Sequence, residues 1–222
     1  MKKNWIAPTA GLIALGFAFA APIAKAATPA VPTSDFYVGG GVSFNRASSL
    51  GGRIDGALAT QGFSSSSTAS NTSTNPNLRF GYRINPNLAV EATYDRVGKM
   101  AVQSNVTSPA ADTAAGQWGA RGLGLHVIGI APIDTQWSLY GRAGIEQWRT
   151  TMNLASTAGG TTSVSNATNN IALALGGGVS YAVSRNVDAT AELTHYSRVG
   201  DSGTTGRSGL NQFSLGLRYH FM

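Results

Sequence analysis

His195 and Ser197 are the residues of this sequence with the clearest capacity for nucleophilic chemistry. They lie two positions apart in "HYS", and alternate residues of a β-strand point to the same face. The imidazole could therefore accept the serine proton and activate its oxygen. A catalytic triad also needs a group that orients the base, but the next apolar segment, "LNQF" at 210–213, offers Asn211 and no carboxylate. We expect His195 and Ser197 to be non-catalytic and the protein not to be an enzyme.

Charged residues form the second set, and they alternate with apolar residues in a period of two. This period is typical of β-strands with two different faces. Eight segments show it and are predicted to be strands: 36–45, 78–84, 88–95, 122–130, 137–146, 171–181, 187–196 and 212–221.

Nearly all the strand charges fall on one face, which also carries many glycines, while the other face is apolar. A soluble ligand-binding barrel would place the charges in water, and a transmembrane barrel would place them in its lumen. Glycine suits a narrow interior, and one arginine facing mid-bilayer would cost about 2–4 kcal/mol. We therefore predict a lumenal charge network of both signs: Arg79, Arg83, Glu91, Asp95, Arg142, Glu146, Asp188, Glu192 and Arg218. A static network that fills the barrel is favoured over a charge gate, because eight strands leave little interior space.

The spacers alternate in length. Those at 85–87, 131–136 and 182–186 are short, and those at 46–77, 96–121, 147–170 and 197–211 are long. Short periplasmic turns and long extracellular loops are typical of outer-membrane barrels. The sequence thus predicts an all-β fold, an eight-stranded antiparallel up-and-down transmembrane β-barrel. The long, nearly uncharged first loop predicts a mobile segment, and loops 46–77 and 96–121 are the candidates for contact with a host or surface ligand.

Aromatic residues cluster near the predicted strand ends. Such clusters form the interfacial girdles of membrane barrels. The residues expected there are Trp137, Tyr181 and Phe221 by the short turns, and Phe44, Trp118 and Phe213 by the long loops.

The N-terminus has a basic start, a short apolar run and an "AKA" site, the pattern of a cleaved secretory signal peptide. We divide the chain into a signal peptide at 1–26, a flexible lead-in at 27–35 and a barrel domain at 36–222. Removing 1–26 takes three lysines and no acid, so the formal net charge falls from +6 to +3 and gives little support for nucleic-acid binding. The chain has no cysteine for a disulfide or a thiolate metal site. We expect no cofactor and no metal.

The last hairpin, 191–221, resembles the closing hairpin of the outer membrane protein A transmembrane-domain family. The shared marks are Glu192, the "VGDSGTTG" loop at 199–206 and "SLGLRYHF" at 214–221. The resemblance implies an outer-membrane barrel with a plugged polar interior. It also implies that the barrel-insertion machinery recognises the terminal strand through Tyr219 and Phe221, although Met222 follows Phe221 here.

Two features depart from the family pattern. The position of the family's gating arginine holds Thr190, so Arg142 or Arg218 would have to supply that charge. The resemblance does not extend to the family's peptidoglycan-binding domain, so it does not imply a tether to the cell wall. Separately, the His-x-Ser pair at 195–197 resembles that of outer-membrane lipid A deacylases.

Together these patterns favour an integral barrel of a Gram-negative outer membrane with a structural or surface-interaction role, in adhesion or membrane integrity. The first alternative is a narrow low-conductance channel, and the second is a lipid A modifying enzyme of deacylase type. The expected partners are outer-membrane lipid, lipopolysaccharide and the insertion machinery, and we expect a monomer.

Overall fold

The structure is a computed structural model that describes residues 35–221. The predicted signal peptide, all but the last residue of the lead-in, and Met222 lie outside the described residues. The elements are β1 (Asp35–Ala47), α1 (Leu50–Thr60), β2 (Ser64–Ala69), β3 (Thr72–Asn85), β4 (Leu88–Ser108), β5 (Asp112–Pro132), β6 (Trp137–Ser156), β7 (Ser163–Ala182), β8 (Val187–Val199) and β9 (Ser208–Phe221).

Eight of the nine strands close into a ring. All neighbours are antiparallel, and the ring runs from β1 through β3, β4 and each following strand to β9, which pairs again with β1. The closing register joins Phe36 to Phe221 and Phe44 to Phe213. β2 lies outside this ring, and among the described strands it pairs with the far end of β4 alone. The predicted eight-stranded up-and-down barrel is confirmed.

The outward face of the ring carries a belt of exposed apolar side chains. Leu125, Leu173 and Leu175 are 66%, 66% and 68% exposed, far more than leucines of a soluble core. This exposure matches a lipid-facing surface. The inside of the ring is tightly packed. A Cβ on Gly81 would lie 2.0 Å from the Tyr37 ring, so this position accommodates only glycine.

The strands continue well beyond this belt, which corrects the prediction that 96–121 and 147–170 are loops. Along β6 the pattern of inward and outward positions continues, but the chemistry of the two faces is exchanged. Below the rim Glu146 points inward and Ile145 outward; above it Trp148 and Met152 are buried and Arg149 is exposed. The extracellular part of the barrel therefore has the polarity of a soluble protein.

The first long spacer is also ordered, so the prediction of a mobile loop at 46–77 is wrong. It contains α1, β2 and the start of β3. Helix α1 has one apolar stripe, Leu50, Ile54, Ala57 and Leu58, at helical spacing, and all four are 0% exposed. The stripe packs into the mouth of the barrel against residues such as Met100 and Trp148.

Within residues 35–221, no helix is long and apolar enough to cross a membrane.

Candidate functional site

Four charged side chains from four strands meet in the lower half of the barrel. Arg79 donates two hydrogen bonds to the Glu192 carboxylate, at 2.8 and 3.0 Å. Arg142 donates to Glu192 at 2.6 Å and to Glu91 at 2.8 Å, and Arg79 lies 3.7 Å from Glu91. We call these four residues the charge quartet. Two positive and two negative charges balance within it, as buried charges require.

Neutral side chains complete the hydrogen bonds of the quartet. The Tyr37 hydroxyl donates to Glu91 at 3.0 Å, and the Thr194 hydroxyl donates to Glu192 at 2.8 Å. Arg79 donates a further bond to the Ser214 hydroxyl at 3.1 Å. The carboxylates are thus fixed by several strands at once, which favours one arrangement of the interior.

Arg218 does not join the quartet. Its guanidinium lies over the rings of Tyr37 and Tyr140, 5.5 and 5.3 Å from their centroids, and 3.6 Å from Asp188. Of the two arginines expected to compensate for Thr190, Arg142 therefore contacts Glu192 and Arg218 does not. Arg79 is the second arginine on Glu192, and the sequence did not single it out for that role.

A second polar cluster closes the periplasmic end. The two ring nitrogens of His220 contact Asp35 and Asp188, the latter at 3.0 Å. Arg83 lies 3.6 Å from Asp35. The structure thus places Arg83, Asp188 and Arg218 inside the barrel, but below the quartet.

Asp95 and Glu146 also point inward, yet within residues 35–221 neither forms an ion pair with an arginine. Asp95 accepts hydrogen bonds from Gln212 at 3.0 Å and Tyr196 at 3.4 Å. Glu146 is 0% exposed, and one of its carboxylate oxygens lies 3.7 Å from His126 Nε2. These residues form a layer between the quartet and the apolar extracellular core.

The extracellular end is closed by α1 and by the loop at 200–207. Trp118 Nε1 donates to the carbonyl of Thr205 at 3.0 Å, and the Thr60 hydroxyl donates to that of Gly203 at 2.6 Å. The loop itself is held by Asp201. The N–H of Gly203 donates to this carboxylate at 2.9 Å and holds its pKa below the usual value, with Thr204 and Arg207 acting in the same direction.

The buried position of Trp118, 0% exposed, shows that its assignment to the outer aromatic girdle is wrong. Four other residues predicted for the girdles form two aromatic pairs on the outer face. Phe44 stacks on Phe213 at 6.1 Å near the extracellular rim, and Trp137 packs against Tyr181 at 4.9 Å near the periplasmic turns.

His195 and Ser197 lie exposed on the outer face of β8. His195 Nδ1 is 2.8 Å from the amide oxygen of Asn211, and the Ser197 hydroxyl accepts the Leu173 N–H at 3.2 Å. Among the hydrogen bonds of residues 35–221, none joins the histidine to the serine. In this part of the chain, the serine hydroxyl is therefore not hydrogen-bonded to the imidazole that would have to accept its proton.

One small void lies beside the quartet. A void lined by Arg79, Thr190, Ser214 and Arg218 has a volume of about 10 Å³, the space of about one water molecule. Tyr37 and Tyr140 help to fill this region, and neither is among the lumenal residues predicted from the sequence. Strand parity indicates that both tyrosines point inward. Tyr37 shares its face with Gly39, and Tyr140 shares its face with Arg142.

The fold and this interior define a class, the small outer-membrane β-barrels filled by their own side chains. The sequence model of the OmpA-like transmembrane domain matches residues 32–222, and the chain belongs to that family. Outer membrane protein A of Klebsiella pneumoniae is 33% identical over 144 residues, which are 64% of this chain and 39% of that protein. The chain thus spans less than half the length of this relative.

Solved structures agree with the fold. Neisserial surface protein A has a TM-score of 0.54 at 22% identity, over 84% of this chain and 97% of that one. The outer membrane protein OprG of Pseudomonas aeruginosa has a TM-score of 0.56 at 16% identity, over 85% and 96% of the two chains. The protein is an outer-membrane barrel, as the sequence predicted.

Proposed function

We propose that this protein acts through its surfaces, as a structural element of the outer membrane and as a surface-interaction protein. The observation that carries this proposal is the filled interior. The charge quartet occupies the lumen, and α1 with the apolar core occupies the extracellular mouth. A barrel filled in this way offers its outer wall and its extracellular rim to other molecules, rather than a path through its centre.

The extracellular part offers a face suited to hydrogen bonding. Ser66 of β2 faces Asn105 of β4, which faces Thr113 of β5, and Thr68 faces Gln103 in the adjoining row. All five are exposed. We call them the hydroxyl-amide face. They belong to the two segments, 46–77 and 96–121, that the sequence singled out for ligand contact, and their uncharged side chains suit polar ligands such as glycans.

Replacing Thr68 and Asn105 by glutamate tests this face. Each glutamate removes a neutral hydrogen-bonding group and adds a charge beside its neighbours. We expect adhesion of cells carrying the double variant to mucin-coated glass and epithelial monolayers to fall about fivefold or more, the effect of losing one net hydrogen bond. Thr135→Glu, in the exposed turn between β5 and β6 at the other end of the barrel, is the control. Equal adhesion of double variant and wild type, with both showing heat-modifiable gel mobility, contradicts the surface role of this face.

Planar-bilayer recording tests the channel alternative. We expect the refolded wild-type protein to give no discrete conductance steps, because the quartet and α1 fill the lumen in series. A general porin reconstituted in the same bilayer shows that the assay registers an open barrel. Reproducible steps from the wild-type protein would contradict the filled interior as the basis of function.

Mass spectrometry of lipid A tests the deacylase alternative. We expect the same acylation pattern with and without the protein, because His195 contacts an amide and Ser197 accepts a backbone hydrogen bond. A Ser197→Ala variant serves as the matched control. Loss of an acyl chain that depends on Ser197 would show that the protein is an enzyme.

A further inference from the structure

Three arginines face one another across the outer wall of the barrel. Arg96 of β4 is the cross-strand partner of Arg121 of β5, and Arg121 is the partner of Arg149 of β6. All three side chains are exposed. Directly opposed residues have their Cβ atoms about 5 Å apart, so three guanidinium groups share one small area. We call these residues the arginine row.

No acidic side chain of the described residues pairs with the arginine row. Among the ion pairs of residues 35–221, none includes Arg96, Arg121 or Arg149. The next residue of the row, beyond Arg149 on β7, is the neutral Asn169. Like charges in directly opposed positions destabilise a sheet. An external anion would relieve that repulsion.

The location of the row indicates which anion. The adjoining row on the membrane side pairs Tyr94 with Leu123, and Leu123 is 65% exposed in the lipid-facing belt. A groove of about 390 Å³ runs across this boundary, lined by Tyr94, Arg121, Gly122, Leu123, Gln147, Arg149 and Asn169. Its extracellular side is basic, and its membrane side continues into the apolar belt.

We propose that the arginine row binds the phosphate groups of an outer-leaflet lipid, with the acyl chains of that lipid lying on the belt below. Arginine binds phosphate through paired N–H donors, and three neighbouring arginines match a headgroup with more than one phosphate. A soluble anion would satisfy the charges but would leave the apolar side of the groove unused. This inference deepens the proposed membrane role and rests on the outer-membrane location of the barrel.

Native mass spectrometry of the full chain in detergent micelles tests the site, with lipid A carrying two phosphates as the probe. The same lipid with both phosphates removed is the comparison, and it shows whether the acyl chains alone are enough for binding to the protein. Each basic residue near an anionic headgroup contributes roughly fivefold to binding, so we expect about a fivefold loss for Arg121→Gln and roughly 100-fold for R96Q/R121Q/R149Q. We expect the dephosphorylated lipid to bind the wild type about as weakly as the phosphorylated lipid binds the triple variant.

Arg46→Gln is the matched control. Arg46 is an exposed arginine of β1, two residues beyond the belt residue Phe44, but its cross-strand partners are Thr72 and Asn211 rather than arginines. We expect its lipid retention to equal that of the wild type. Each variant is first checked by heat-modifiable gel mobility, and if the triple variant does not fold, Arg121→Gln and Arg149→Gln decide the result.

Unchanged retention in the arginine variants would overturn the proposal, as would equal retention of phosphorylated and dephosphorylated lipid. Heparin serves as the soluble polyanion probe. Heparin that binds the wild type but not the triple variant, with lipid A retention intact, would also overturn the proposal and would assign the row to a soluble polyanion. Such failures in a barrel that keeps its heat-modifiable mobility leave the role of the hydroxyl-amide face standing, since that face is tested by adhesion.

Discussion

Replacement of Glu192 by glutamine is expected to lower the free energy of unfolding by about 3–5 kcal/mol, the cost of breaking a buried ion pair from one side. Glu192 accepts three hydrogen bonds from Arg79 and Arg142 and one from Thr194. Glutamine has nearly the same size, but its amide group would turn N–H donors toward guanidinium donors. The quartet would then hold two positive charges and one negative charge, with a net charge of +1.

Urea titration in lipid vesicles, followed by tryptophan fluorescence and heat-modifiable mobility, measures this effect. Glu146→Gln is the matched control, because Glu146 is also a fully buried carboxyl of the interior but forms no ion pair with an arginine of the described residues. We expect that substitution to cost much less than the one at Glu192. A Glu192→Gln variant as stable as the Glu146→Gln variant would contradict the structural role of the quartet.

The double variant E192Q/R79Q separates charge from packing. It leaves Arg142 and Glu91 as a balanced pair, which already share a hydrogen bond of 2.8 Å. If the cost of Glu192→Gln arises from uncompensated charge, adding Arg79→Gln should restore part of the lost stability. A double variant that loses the sum of the two single effects would show that the side chains act independently.

The lipid-facing belt could be predicted from the sequence, because the two-residue period of a strand is enough to assign each residue to the inner or the outer face. Ile145 and Glu146 fall on opposite faces whatever the neighbouring strands do. The same period continues through "WRTTMNL" at 148–154, where Trp148, Met152 and Leu154 are buried. The outward residues of that stretch are polar, so it lacks the apolar outer face of the predicted membrane strands and falls within the predicted loop at 147–170. A reversal of polarity at an unchanged period is the signal that marks where a barrel strand leaves the membrane.

The partners within the interior could not be predicted in the same way. Which arginine reaches Glu192 depends on the stagger of strands around the ring, and Arg79 lies 113 positions away in sequence. Strand parity places Arg79, Arg142 and Arg218 in the lumen, but it does not give their height. The position of each side chain along the barrel axis depends on the register of the strand pairs. This register places Arg218 below the quartet.

Replacement of Leu58 by alanine is expected to open the extracellular end. Leu58 is 0% exposed and belongs to the stripe of α1 that packs against the barrel core. Leucine-to-alanine changes in a packed core cost about 2–5 kcal/mol. We expect the cost here to fall on the docking of α1, because the membrane ring of strands does not depend on this helix for its hydrogen bonds.

Trypsin cleavage after Arg53 reports this opening. The Arg53 side chain is exposed, but the following residue, Ile54, is 0% exposed, so cleavage requires the helix to leave its site. When opening is fast relative to cleavage, the rate follows the open population, and a loss of 2 kcal/mol raises it about 30-fold. Cleavage at Arg185, in the exposed turn between β7 and β8, provides an internal reference.

Gly56→Ala gives the opposite expectation on the same helix. A Cβ at Gly56 meets nothing within 4 Å, and alanine favours a helix over glycine by about 1 kcal/mol. Cleavage after Arg53 should therefore slow in this variant while it accelerates in Leu58→Ala. Equal rates in wild type and Leu58→Ala would mean that α1 leaves the barrel mouth without the cost that its buried stripe implies. The lumen would then be closed by the charge quartet alone, and the conductance of Glu192→Gln would become the decisive measurement.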